Sequence, residues 1–193
     1  MKRFKSRRRG GAYAVLEQNE ARLVANLAAQ VVELLGDESS TAEVPDPLEV
    51  LADIGAGPQQ PPDDPVLQRL LPDAYRDDDE SAAEFRRFTE RGLRGAKVTN
   101  ARTVIESLVV GGMQDVTPEP GDDGPVEVDL DAAQVQSWLR TLTDIRLALA
   151  TRLGIEDDEH DWSHDRDDPA AGMHDIYDWL GFVQETLLAA IDR

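Results

Sequence analysis

The spacing of hydrophobic residues predicts amphipathic helices in three separate segments of the chain. In each segment, large apolar residues recur every three or four positions and therefore share one face of an α-helix. These faces comprise Leu23, Leu27, Val31 and Leu34 in the first segment, Trp138, Leu142, Ile145, Leu149 and Leu153 in the second, and Ile176, Leu180, Val183, Leu187 and Ile191 in the third. Because each face is apolar along its length, we expect all three helices to pack against a common core.

The second of these helices has recognisable ends. Asp131 and Gln134 have the spacing of a capping box, in which each side chain accepts a hydrogen bond from the other residue's backbone N–H. Gly154 follows the last apolar position and can adopt the left-handed conformation that ends a helix. We therefore expect this helix to begin at Asp131 and to stop at Gly154.

The middle of the chain has a weaker helical pattern. Ser81 to Phe88 has helical spacing, Thr89 can act as an N-cap, and apolar residues continue the period from Val98 to Val109. Gly92 and Gly95 lower the helix propensity just after Thr89. This pattern predicts two consecutive helices with a tight junction.

Two short segments have the alternating pattern of half-buried strands. Tyr13 to Leu16 precedes the first helix, and Val126 to Leu130 precedes the helix that contains Trp138. Because both strands lead into long amphipathic helices, we expect them to pair in a small sheet that joins the two halves. The predicted fold class is therefore α+β and predominantly α-helical, with about five helices and a small sheet formed by short strands before two of the long helices.

Three stretches are predicted to be linkers, because proline, glycine and acidic residues interrupt the apolar pattern. They span residues 36–65, 114–125 and 156–172. The rest of the sequence suffices for one core, since roughly 100 to 200 residues form a domain. We therefore expect a single domain over residues 1–193, with a basic N-terminal arm at residues 1–11.

The net charge excludes a uniformly basic nucleic-acid binder. The chain has 39 acidic and 20 basic residues, so its formal charge of -19 repels phosphate backbones and anionic lipid. Six of the basic residues lie in the first nine positions, among them Arg7, Arg8 and Arg9. No apolar run reaches the roughly 20 residues of a membrane span, and the N-terminus lacks the apolar region of a secretory signal, so a cytoplasmic location without membrane contact is expected.

One central segment reverses this charge. Ser81 to Ile105 contains six basic and two acidic residues. On an unbroken helix, four of the basic residues form a continuous stripe, which we call the basic stripe: Arg87, Arg91, Arg94 and Lys97. Together with Arg7, Arg8 and Arg9 this stripe can contact DNA phosphates or a partner protein. The alternative is that it forms ion pairs with the acidic linkers of the same chain.

A pair of charged residues in the second helix is predicted to be structural. Asp144 and Arg146 lie in an almost continuously apolar stretch, so burial requires that each charge have a partner. Residues two apart do not face each other on a helix. We therefore expect separate partners, with Arg140 bound to Asp144 and a carboxylate from another helix bound to Arg146.

No catalytic or cofactor-binding motif is present. The chain has no cysteine, no Gly-x-Ser-x-Gly or Ser-x-x-Lys motif and no phosphate-binding glycine loop, so we expect a protein that is not an enzyme and has no cofactor. His160 and His164 have a spacing that can bind a metal on a helix. They lie in an acidic segment without helical periodicity, so a solvated loop without a metal site is the preferred interpretation.

Three blocks of sequence resemble a known family. They are residues 64–76, residues 142–149 with Gly154 and Ile155, and residues 177–180 with Gln184 and Glu185. In this order they are similar to an actinobacterial family, formerly of unknown function, of AosR-type oxidative-stress transcriptional regulators. The resemblance implies a cytoplasmic regulator of redox-responsive genes, often encoded beside a Clp protease adaptor and sulfur-metabolism functions, and it implies no catalytic residues.

The absence of cysteine excludes a thiol switch in this member. Met113 and Met173 can be oxidised to sulfoxides, although packing is the simpler role for Met173. Two functional hypotheses follow. The first is a transcriptional regulator that contacts promoter DNA. The second is an interaction module or adaptor that binds a sigma factor or Clp-type proteolytic machinery without direct DNA contact. A homodimer is compatible with either hypothesis.

Overall fold

The computed structural model describes residues 1–36, 58, 60–75, 77–114, 124–155 and 170–192. In chain order these residues form strands β1 (Lys5–Ser6) and β2 (Ala12–Leu16), helices α1 (Gln18–Leu35), α2 (Pro65–Leu70) and α3 (Asp79–Val110), strand β3 (Val126–Leu130), and helices α4 (Ala132–Leu153) and α5 (Ala171–Ile191). The predicted α+β and predominantly helical fold is confirmed. The central part of each of the three predicted linkers lies outside the described residues.

The predicted pairing of the two strands is also confirmed. Strands β2 and β3 are antiparallel, with Ala14 opposite Val128 and Leu16 opposite Val126, and their alternate side chains are buried against the helices. Strand β1 pairs with the other side of β2, which gives the order β1-β2-β3. The sequence did not predict β1, because its two residues are exposed and show no apolar alternation.

The prediction of two helices in the middle of the chain is wrong. Helix α3 runs without interruption from Asp79 to Val110. The Thr89 hydroxyl donates to the carbonyl of Phe85 at 2.8 Å, inside the helix, instead of capping a new one. The junction stays helical because buried ion pairs link positions on both sides of it, as described below.

Helix α3 begins at an aspartate that caps it. The Asp78 side chain accepts hydrogen bonds from the backbone N–H of Ser81 at 3.0 Å and from its hydroxyl at 2.7 Å. These bonds lower the pKa of Asp78 below its ordinary value of 3.8. The described residues contain five helices, as predicted, but α2 takes the place of one of the two helices expected in the middle.

The core lies between the inner face of the sheet and the apolar faces of the helices. Trp138 is completely buried at its centre, and its indole N–H donates to the hydroxyl of Ser107 in α3 at 2.9 Å. Both predicted ends of α4 are confirmed, because Asp131 and Gln134 form the capping box and Gly154 has a φ of 69°. No helix of the described ranges is long and apolar enough to cross a membrane.

The basic N-terminal segment packs onto this core. Phe4 is buried and meets the edge of the Trp138 ring, with 5.9 Å between the ring centroids. The backbone N–H of Lys2 donates to Val15 at 3.1 Å, and the N-terminal ammonium binds Glu20. The basic side chains of this segment are therefore presented from an ordered sheet edge.

Candidate functional site

Arg86 in α3 is buried and has three acceptors. Its guanidinium donates to the Asp73 carboxylate at 2.6 Å, to the Leu71 carbonyl at 3.3 Å and to the carboxylate of Glu90 one turn further along the helix. Arg86 is 6% and Glu90 4% exposed. Arg86 therefore fixes the segment between α2 and α3 against the side of α3.

Glu90 extends this arrangement towards α1. Its second oxygen accepts a hydrogen bond from Arg94 at 2.8 Å, and Arg94 also donates to the Leu35 carbonyl at the end of α1 at 2.9 Å. Burial alone lowers the pKa of Arg86, but the hydrogen bonds and charges of Asp73 and Glu90 outweigh burial and raise that pKa. Arg86 thus remains a cation in the interior, because Asp73 and Glu90 stabilise its charged form.

The basic stripe is not an open row of cations. Arg94 is bound to Glu90, and Lys97 binds Asp144 with 2.5 Å between Nζ and Oδ1. The Arg87 guanidinium lies 4.7 Å from the centroid of the Phe88 ring. Arg91 is exposed and has a partner in the structure. Arg94 and Lys97 thus form ion pairs within the chain, but their carboxylates belong to α3 and α4 and not to the acidic linkers that the alternative named.

Asp144 is buried as expected, yet its predicted partner is wrong. The carboxylate is 4% exposed and binds Lys97 of α3 instead of Arg140. Arg140 lies one turn earlier on α4 with an exposed side chain, and the ion pairs recorded among the described residues give Asp144 to Lys97 alone. Burial raises the pKa of Asp144, and the hydrogen bond and charge of Lys97 only partly offset this effect.

Arg146 joins α4 to α5 without the carboxylate that we expected. Its guanidinium donates to the Gln184 side-chain oxygen at 3.0 Å and to the Tyr177 hydroxyl at 3.3 Å, and it lies 4.7 Å from the centroid of the Tyr177 ring. The guanidinium is partly buried, and its Nε is buried without a hydrogen-bond partner among the described residues. Both partners belong to the third block of the family resemblance.

The three N-terminal arginines surround a turn next to the start of α4. Arg7 donates to Asp129 at 3.3 Å and stacks on Tyr13, with 4.8 Å to the ring centroid. Arg8 and Arg9 are exposed, and Arg9 has a φ of 61°. These arginines lie beside the start of α4, whereas Lys97 of the basic stripe binds Asp144 about three turns further along that helix.

An exposed cluster of aromatic rings lies where Arg86 fixes the chain. We call it the aromatic surface, and it consists of Tyr75, Phe85 and Phe88. Their side chains are 50%, 46% and 52% exposed. Tyr75 and Phe85 meet edge to face, with 6.1 Å between the ring centroids. Two of the three rings project from α3, so their positions are set by a rigid element.

Comparison with known proteins identifies the family of the chain. A family model described as a domain of unknown function, DUF2017, matches residues 1–191. The chain belongs to the DUF2017 family. The resemblance predicted from the three sequence blocks is thereby confirmed, since relatives in curated collections carry the name AosR.

Two such relatives, from Mycobacterium bovis and Mycobacterium tuberculosis, are named oxidative stress regulator AosR. Each is 32% identical to this chain over 184 residues, which cover 91% of the chain and 80% of the relative. A relative from Mycobacterium leprae is 31% identical over 194 residues, which cover 92% of the chain and 81% of the relative. No solved structure gives a significant match.

The sequence of this DUF2017 chain did not lead us to predict the buried ion pairs of Arg86, Glu90 and Arg94, nor the aromatic surface. The spacing of Arg86, Glu90 and Arg94 at successive turns was visible and is typical of ion pairs along a helix. No feature of the sequence indicated that Phe85 and Phe88 are exposed, because large apolar residues in a helix are usually buried. His160 and His164 lie outside the described residues, and their interpretation as a solvated loop stays a prediction.

Proposed function

We propose that this protein is a non-enzymatic regulator of gene expression in the oxidative-stress response, and that it acts by binding a transcription protein. The regulatory role rests on the names of its relatives. The mode of action rests on helix α3. Its predicted DNA contacts, Arg94 and Lys97, are occupied by carboxylates of the same chain, whereas its aromatic surface is open.

The composition of the aromatic surface favours a protein partner over nucleic acid. Tyrosine, phenylalanine and arginine are enriched in protein interfaces, and exposed aromatic rings on a fixed helix supply contact area at little cost in side-chain entropy. Arg87 lies against Phe88 and belongs to the same surface. Rings that protrude from a rigid helix do not match the phosphate-lined exterior of a DNA duplex.

The charge around the aromatic surface favours a basic partner. Exposed carboxylates surround the start of α3, at Asp77, Asp79, Glu80 and Glu84. Complementary charge accelerates association and excludes partners of like sign. DNA-binding transcription proteins carry basic surfaces, so we propose a sigma factor as the partner.

A binding measurement with defined proteins tests this proposal. Purified sigma factors of the same organism are titrated individually with the full chain in an isothermal calorimeter, after nuclease treatment. We expect one of them to bind, and we expect Phe85→Ser with Phe88→Ser to weaken that binding by about tenfold or more, as interface anchors do. Circular dichroism checks that the variant retains its helices.

Leu188→Ser provides the matched control. Leu188 is 44% exposed on α5, so its replacement removes exposed apolar surface at a different place. We expect this variant to bind like the wild type. The proposal fails if no sigma factor binds, or if both variants lose affinity to the same extent.

A second candidate, direct DNA contact through the N-terminal segment, is favoured by one observation. Lys5, Arg8 and Arg9 are exposed near one end of the sheet, and the structure gives them no carboxylate partner among the described residues. This function predicts DNA binding that weakens steeply with salt, and a smaller salt slope for Arg8→Gln with Arg9→Gln. Gel shifts of promoter fragments at several salt concentrations measure this slope, and an unchanged slope contradicts the assignment.

A further inference from the structure

A groove separate from the aromatic rings opens between α2, α3 and α4. Its volume is about 600 Å³. Apolar side chains from all three helices and from the residues after α2 line it: Leu70, Pro72, Leu93, Ala96, Leu139 and Leu147. Leu93 is 41% exposed within it, so the groove leaves large apolar area in contact with water. This size and lining are typical of sites for small molecules.

The groove is positively charged, although the molecule as a whole is acidic. Arg69, Lys97 and Arg140 contribute three positive charges to its lining, and Asp144 contributes one negative charge. Asp144 is already bound to Lys97. The lining therefore has a net charge of +2, in a chain whose formal charge is -19.

Two of these cations have no recorded counter-charge among the described residues. Arg86, Arg94 and Lys97 each bind a carboxylate, but Arg69 and Arg140 have no recorded carboxylate within the described part of the chain. Both are exposed, and they come from different helices, α2 and α4. Two exposed arginines without a carboxylate from the described residues, placed beside an apolar groove, form a site that selects negative charge.

We propose that this groove binds a small organic acid that has an apolar body and one carboxylate. The leucine side chains hold the apolar body, and Arg69 and Arg140 hold the carboxylate. A protein partner is a poorer fit, because the groove is lined by 12 residues, whereas a stable protein interface involves about 20 to 30 residues on each side. A nucleic acid has no apolar body to cover the leucines.

Titrations with simple probes test this site. Octanoate supplies both features, acetate supplies only the carboxylate, and octanol supplies only the apolar chain. Each probe is added to the full isotope-labelled protein, and two-dimensional NMR spectra of the backbone amides follow saturation. We expect octanoate to shift amides of α2, α3 and α4 around the groove, and to bind at least about tenfold more tightly than either partial probe.

Substitutions of the two arginines then test whether they bind the carboxylate. Arg69→Gln with Arg140→Gln is expected to weaken octanoate binding by about tenfold or more while leaving octanol binding unchanged. Arg152→Gln, which removes an exposed arginine of α4 outside the groove, is expected to bind octanoate like the wild type. Equal binding of octanoate and octanol overturns the proposal, and so does octanoate binding that survives the double substitution. An acidic apolar peptide that occupies the groove in preference to octanoate also overturns it and assigns the groove to a protein partner.

Discussion

The role of each charged side chain of α3 depends on which residue of another element it contacts. Its position along the helix does not identify that residue. Arg86 and Lys97 both face inward, towards Asp73 and Asp144 respectively. Buried pairs of this kind contribute little net stability, but removal of one partner leaves an uncompensated charge and typically costs about 3–5 kcal/mol. The sequence supplied the positions of the charges, whereas the acceptors became known only from the packing of other elements.

The pH dependence of stability tests the environment of Asp144. Because burial raises its pKa above the unfolded value of 3.8, the native state binds this proton more tightly than the unfolded chain does. The contribution of Asp144 to stability is therefore greatest below pH 3.8 and decreases as the pH rises through the native pKa. Each unit of pKa difference corresponds to about 1.4 kcal/mol.

We expect this loss to appear when the wild type is compared with Asp144→Asn. Urea unfolding followed by circular dichroism between pH 4 and pH 8 gives the free energy of unfolding of both proteins. The wild type should lose stability relative to the variant as the pH rises, and Lys97→Met should extend the loss to higher pH. A wild type that gains relative stability over this range would show instead that Lys97 dominates and lowers the pKa.

At the scale of secondary-structure elements, the repeat of apolar residues along the chain predicted the long helices and the two main strands. It did not predict where one helix ends and the next begins. Thr89, Gly92 and Gly95 are the local signals of a boundary, yet α3 continues through them. The ion pairs of Glu90 with Arg86 and Arg94 cross this point and outweigh the weak local propensity. The candidate site was predicted less completely than the fold, because the exposure of Phe85 and Phe88 depends on which neighbouring elements fail to cover them.

Two glycines, Gly92 within α3 and Gly111 at its C-cap, differ in the space around them, and alanine substitutions at both test how the helix is built. A Cβ at Gly92 would meet no atom within 4 Å, so Gly92→Ala should stabilise the protein by roughly 1 kcal/mol through helix propensity. A Cβ at Gly111, the C-cap, would lie 2.5 Å from the Glu127 carbonyl oxygen. Gly111→Ala should therefore destabilise it by about 1–3 kcal/mol, since that oxygen belongs to the backbone of β3.

Urea midpoints of the two variants measure these opposite changes under identical conditions. The Gly111 carbonyl also accepts the backbone N–H of Glu127 at 2.8 Å, so the close approach cannot relax without loss of this hydrogen bond. A destabilising effect of Gly92→Ala would contradict an unbroken α3 and would favour the two-helix alternative.

At the scale of the whole molecule, the internal ion pairs have a consequence for the remaining charge. Arg86, Arg94 and Lys97 bind carboxylates within the fold, so these cations are not available to neutralise the acidic exterior. A chain with a formal charge of -19 then experiences strong repulsion between its surface carboxylates. This repulsion acts on the folded state more than on the expanded chain, in which the charges lie farther apart.

Salt should therefore stabilise this protein. Between about 0.01 M and 0.15 M NaCl the screening length falls from about 30 Å to about 8 Å, which weakens repulsion between exposed charges more than it weakens buried pairs. We expect the urea midpoint to rise over this range with an unchanged m-value, because the area exposed on unfolding stays the same. Arg8→Glu with Arg9→Glu changes the formal charge from -19 to -23, two units for each residue, and should increase this salt dependence because both side chains are exposed. A midpoint that falls with added salt would mean instead that attraction within ion pairs dominates the surface, and that the net charge does not limit stability.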